Sequence, residues 1–202
     1  MENKIAREYF EIEGSNRRMI NLDIHYIDSI GNKPIAIFAH GYKGFKDYGA
    51  WSLIGDIFAK SGIVFVRFNF SHNGVTPETP TDFSDLEAFG QNNFSKEMYD
   101  FNKVIDFIYD LATINNQWDE NNISIIGHSR GGGMAIMTAV QNNKVKKLIT
   151  WAAIADIGGH MPKGNELEAW RTAGVAFIAN ARTGQEMPHY FQFYEDYLAN
   201  KD

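Results

Sequence analysis

Cysteine is absent from the 202 residues, which excludes disulfides, thiolate metal sites and a cysteine nucleophile. No apolar run approaches the ~20 residues that a membrane span requires. The opening MENKIAREYFEIEG lacks the basic start and apolar stretch of a secretory signal, so the expectation is a cytoplasmic protein with no membrane partner. A basic excess is missing as well. The net charge is -6 and the isoelectric point is near 5.5, whereas nucleic-acid binding asks for clustered Lys and Arg, so no nucleic-acid partner is expected. The one basic run, Lys144 to Lys147, reads as a solvated turn ahead of a strand. HExxH, the P-loop and a strand-borne GxGxxG are all absent, so neither a metal nor another cofactor is implied.

What is present is an ordinary globular composition, 44% hydrophobic and 22% charged, in a length that suits one domain with a proper core. Around Tyr9 to Ile12 and Met19 to Ile27, apolar and polar residues alternate, predicting antiparallel strands with one wet face, on which His25 falls. The run KPIAIFAHG predicts a strand buried on both faces and ending at His40-Gly41. A helical stripe of Trp51, Ile54, Ile57 and Phe58 follows, then a second buried strand, IVFVRFNF. Pro77 and Pro80 mark a long loop running to about Asn93, after which Phe94, Met98, Phe101, Ile105, Ile108 and Ala112 recur at helical spacing to Ile114. A strand over Asn122 to Ile126, a small-residue helix carrying Ala135, Ile136, Ala139 and Val140, and a strand in KKLITWAAIA complete the alternation. The fold class is therefore α/β, a mostly parallel twisted sheet with helices on both faces and functional residues at the strand ends.

Between the strand at Asn122 and the helix after it lies Gly127-His128-Ser129-Arg130-Gly131. A serine pushed outward at such a turn adopts a sparsely populated backbone conformation and crowds the residues two before and two after it; glycine at both places removes the clash. The helix start aims backbone donors and a positive dipole end at an anion formed on Ser129. Ser129 is thus a candidate nucleophile.

In combination, GHSRGG, the upstream HGYKGFKDYGAW and NFSHNG after the next strand resemble the α/β-hydrolases, in particular small esterases and dienelactone-hydrolase or serine-peptidase-like members. The resemblance covers Lys33 to about Asp156. It implies an acyl-transfer mechanism in which Ser129 attacks and the backbone N–H groups of Tyr42 and Arg130 hold the oxyanion, each donor worth about 3 to 4 kcal/mol by deletion. It implies carboxylic-ester hydrolysis on a small-molecule substrate of small or medium acyl group. Residues 1–157 form the expected core and 158–202 a cap, with a short helix near Glu166 to Arg171, a hairpin near Val175 to Thr183 and a final helix from about Pro188.

The family's acid and histidine usually follow strands beyond the cap, so the chain resembles the N-terminal two thirds of a hydrolase, a shortened version of that fold. Asp156 is the candidate acid. Among the histidines, His40 is expected to brace the oxyanion loop, His72 to line the pocket, His128 to point away from the hydroxyl, and His160 and His189 to pack in the cap. Gly41 and Arg182 join His40 and His72 as pocket candidates, Arg182 as an anchor for a substrate carboxylate. The alternative reading is a non-catalytic ligand-binding or interaction protein that keeps the scaffold, and a third is a degraded reading frame. Oligomeric state is not legible.

Overall fold

The computed structural model describes residues 4–201. Strands β1 (Ile5–Glu13), β2 (Met19–Ile27), β3 (Lys33–Ala39), β4 (Val64–Phe68), β5 (Trp118–His128) and β6 (Val145–Trp151) form one sheet in the order β1-β2-β4-β3-β5-β6. β1, β2 and β4 pair antiparallel in sequence across the sheet, while β4, β3, β5 and β6 are mutually parallel. Mostly parallel strands need helical crossovers, and these are α1 (Trp51–Lys60), α3 (Phe94–Ile114) and α4 (Arg130–Gln141).

Alternation along each central strand divides the core. Ile35, Ile37, Val64, Val66, Ile123 and Ile125 face α3 and α4, whose Phe101, Val104, Ile105 and Ala135 complete the larger cluster. Ala36, Phe38, Phe65 and Ile126 face the opposite way, onto Trp51, Ile54 and Phe58 of α1. The expected wet face of β2 is dry. Asn21, Asp23 and His25 are buried, because α1 lies over that side and His25 Nδ1 meets Asp56 Oδ1 of α1 at 2.8 Å. Conversely Ile57, placed on the buried stripe by spacing, is exposed on α1, and close packing is provided by Gly55 and Ala59.

The loop after β4 is shorter than expected. Asp85 caps a helix, α2 (Leu86–Gln91), by accepting from Ala88 N, and Asn93 caps α3 by accepting from Lys96 N, each cap worth about 1 kcal/mol. Beyond β6 come α5 (Asn165–Ala173), β7 (Val175–Ala179), β8 (Glu186–Tyr190) and α6 (Gln192–Asn200), with β7 and β8 paired antiparallel as a separate hairpin. Thus the hairpin's second strand lies beyond the expected Val175 to Thr183 hairpin and runs into the expected start of the final helix. Pro188 sits in β8 rather than opening the last helix, and Met187, Pro188 and His189 are buried against α2 and the loop before it. The aromatic stripe of the last helix packs inward, Phe193 lying 4.8 Å from Phe94. Exposed apolar surface lies instead at the sheet edge, on Leu148 and Ile149 of β6 and Ile136 and Val140 of α4. Among the described residues no helix is long and apolar enough to cross a membrane.

Candidate active site

Ser129 joins β5 to α4 with φ 53° and ψ −119°, a left-handed conformation that a non-glycine residue adopts only when its surroundings impose it. Those surroundings are hydrogen bonds. Ser129 N donates to Trp151 O at 2.9 Å, and Ser129 O accepts from Gly132 N at 2.9 Å and from Ile154 N at 3.2 Å, so the turn is stitched to the end of β6. The flanking glycines answer the crowding. A methyl group on Gly127 would meet the Gly131 carbonyl carbon at 2.6 Å, and one on Gly131 would meet Ala39 O at the same distance.

Beside the elbow runs the loop after β3. Gly41 lets that loop approach the serine; a methyl there would lie 3.0 Å from Ser129 Cβ. His40 is fully enclosed, with Nδ1 donating to Gly41 O at 2.9 Å, and burial holds its pKa down to about 4, so the ring is neutral and carries its proton on Nδ1. Lys43 also sits at positive φ, 52°. Further along, Lys46 N donates to Asn69 Oδ1 at 2.7 Å and Lys46 O accepts from Arg67 Nη1 at 2.6 Å. Arg67 and Lys46 both pair with buried Asp23. Burial pushes the Asp23 carboxyl up, but the contacts from His25, Arg67 and Lys46 outweigh it and hold the group below its ordinary value.

Two cavities flank Ser129. The first, about 370 Å³, is lined by apolar groups including Phe94, Ile154, Met161, Trp170 and Phe193. Arg130 also lines it, with its guanidinium carbon 4.6 Å from the Phe94 ring centre and 4.8 Å from that of Phe193, and its Nε donating to buried Glu97 at 3.1 Å. His189 lies in the same cavity, its Nε2 2.6 Å from the Tyr42 hydroxyl, and burial lowers its pKa to about 4 and raises that of Tyr42 to about 12. The second cavity, about 290 Å³, is richer in polar groups than the first and is lined by Lys43, Tyr48, Trp51, His128, Asn180 and Arg182.

The candidates thus disperse in an instructive way. Ser129, Tyr42 and Arg130 converge; Gly41 and Arg182 border the second cavity; and His128 packs against Trp51, with ring centres 5.3 Å apart. His72 lines neither cavity and is instead held by Ser71 Oγ at 2.8 Å, beside the buried Asp100 carboxylate that accepts from Ser71 N and Ser15 N. Asp156 is exposed and lies past the end of β6, which closes at Trp151 rather than Ala155. His160 is exposed at the rim of the first cavity. Among the described residues no side chain hydrogen-bonds the Ser129 hydroxyl. Sequence reasoning missed Lys43 and Asn180 as cavity residues, since no local pattern shows that their two loops meet, and it underrated His189, whose burial depends on β8.

A sheet of this strand order with a strained serine at the β5–α4 turn and a glycine loop beside it defines an α/β-hydrolase, and the chain belongs to that superfamily. Residues 83–178 match the BD-FAE family. The chain is 31% identical over 136 residues to the Mycoplasma genitalium protein named "Putative esterase/lipase 2", an alignment covering 67% of this chain and 43% of that protein. The chain therefore spans less than half the length of the curated relative it matches. A solved structure described as a "Putative hydrolase" of Agrobacterium vitis S4 superposes with a TM-score of 0.70 at 18% identity, over 98% of this chain and 72% of the other. EstE1, described as a thermophilic carboxylesterase cloned from a metagenomic library, superposes with a TM-score of 0.60 at 17% identity, over 89% of this chain and 56% of the other.

Proposed function

We propose that this chain carries the nucleophile and oxyanion hole of a serine hydrolase that cleaves carboxylic esters through an acyl-Ser129 intermediate. The observation that carries the reading is the strained Ser129 backbone at the head of α4, with the Gly41-Tyr42 loop packed against it. Ser129 Oγ attacks the ester carbonyl carbon, and the carbonyl oxygen takes the negative charge. The N–H groups of Arg130 and Tyr42 receive that charge, neither of them engaged by an acceptor among the described residues, and the α4 dipole adds to them. The alcohol leaves, and water then releases the acid. Residues 158–201 act as a cap that closes the apolar cavity with Trp170, His189 and Phe193. The names of the sequence relative and of the structural neighbours, esterases and hydrolases, support the class.

The proton on Ser129 Oγ needs a base, since a free hydroxyl is a weak nucleophile at neutral pH. That the hydroxyl has no side-chain partner among the described residues favours a second reading, a ligand-binding protein that retains the scaffold. A fluorophosphonate separates the two. Covalent labelling that disappears in Ser129→Ala supports the hydrolase, and its failure in folded protein supports the binding module.

A further inference from the structure

The second cavity beside Ser129 has an unbalanced charge. Lys43 and Arg182 both line it, neither forms an ion pair among the described residues, and no carboxylate is among its lining residues. The two cations are brought together by reciprocal contacts: Arg182 Nη2 donates to Lys43 O, and Lys43 Nζ donates to Ala179 O at 2.8 Å. These contacts staple the loop after β3 to the turn between β7 and β8, so the juxtaposition is built into the fold. The Arg182 ring partner is Tyr48, 4.1 Å from the guanidinium carbon, which fixes the fork's plane while leaving its other donors without protein acceptors among the described residues. The Lys43 ammonium is correspondingly strained; desolvation and then the Arg182 charge lower its pKa.

Asn180 fixes the position of the second cation. It is 2% exposed, and its Oδ1 accepts from Arg182 N at 3.2 Å, so the turn that carries Arg182 is pinned from within. Two cations without a carboxylate partner, held around a cavity that reaches the nucleophile, call for an anionic oxygen group.

We infer that the substrate is an ester with an apolar side seated against Phe94, Trp170 and Phe193 and a second side bearing a carboxylate or phosphate, held by Lys43 and Arg182. This deepens the esterase reading and depends on it only in taking Ser129 as the reacting atom. The recognition itself is a matter of binding, and is tested as such.

The test uses Ser129→Ala protein, which holds an ester without turnover, titrated by calorimetry with three probes sharing one acyl chain: carboxymethyl hexanoate, its neutral methyl ester, and 2-phosphoethyl hexanoate. At least one anionic probe binds about tenfold or more tightly than the neutral ester, as a charge-assisted contact predicts. The preference shrinks as salt is added. The tighter anion names the group. Lys43→Gln/Arg182→Gln removes the preference. Asn180→Asp, which keeps the shape and adds a negative charge, removes it too, and so provides a second readout if the double variant does not fold. Equal affinities for all three probes, or a preference that survives both variants, overturns the inference. A preference that stands while Ser129 resists fluorophosphonate keeps the inference as an anion site and overturns the hydrolase reading alone.

Discussion

On one side of Ser129 the backbone is held at every point: the elbow is bonded to the end of β6, the Gly41 loop lies against it, and Lys46 is gripped through both N and O by Asn69 and Arg67. On the other side the hydroxyl meets no side chain among the described residues, and the two histidines of the apolar cavity are an exposed His160 and a His189 committed to Tyr42. The difference separates two parts of catalysis that are usually discussed together. Stabilising an oxyanion needs donors fixed in advance and depends on the rigidity of loops and glycines. Moving a proton needs a group of suitable pKa within reach. In the proposed reading the first rests on residues from β2 to α4; the second is not contributed by the same elements among the described residues.

Several perturbations would break or sharpen that contrast. The largest effect is expected on the held side from Arg67→Leu, which leaves Asp23 and Lys46 with a broken buried ionic cluster and frees the Lys46 carbonyl. Urea denaturation should show a loss of about 3 to 5 kcal/mol. Gly131→Ala drives a methyl into the Ala39 and His40 carbonyls, and a loss of about 1 to 3 kcal/mol is expected together with loss of Ser129 labelling.

Acid should loosen the fold as a whole next. His40, His72 and His189 are each held to about 4, whereas in the unfolded chain they protonate near 6.5. Their contribution is therefore complete above about pH 6.5 and is lost as pH falls towards 4. Asp100 runs the other way. Burial raises it to about 6, so in the same window the folded chain keeps a proton that the unfolded chain has released, and its contribution is lost as pH rises through 6. Asp100→Asn should then steepen the fall of stability between pH 6 and pH 4 by about 1.4 kcal/mol per pH unit, measured by denaturation at stepped pH. The smallest effect is expected on the open side. His160→Ala should leave the rate of Ser129 labelling within about twofold, whereas a fall of a hundredfold or more would make it a general base.

The central strands, α3, Ser129 and its glycines were legible in the sequence because each rests on a local pattern: dense apolar runs, helical periodicity and a turn that only glycine permits. What was hidden depends on long-range packing. His25 alternates with apolar residues as a solvated side chain would, and only the placement of α1 buries it. β8 contains Pro188 and just five residues, and its burial comes from α2 and Phe83, about a hundred positions earlier. Lys43 and Asn180 acquire a role only when the β7–β8 turn closes on the loop after β3, which no local signal announces.

The central claim is that Ser129 is the nucleophile of a preformed oxyanion site, and intact-mass spectrometry of folded protein treated with a fluorophosphonate tests it most directly. The account predicts one adduct, mapped to the peptide containing Ser129 and absent in Ser129→Ala. An adduct that persists in that variant, or none in protein that is folded by circular dichroism, would contradict it.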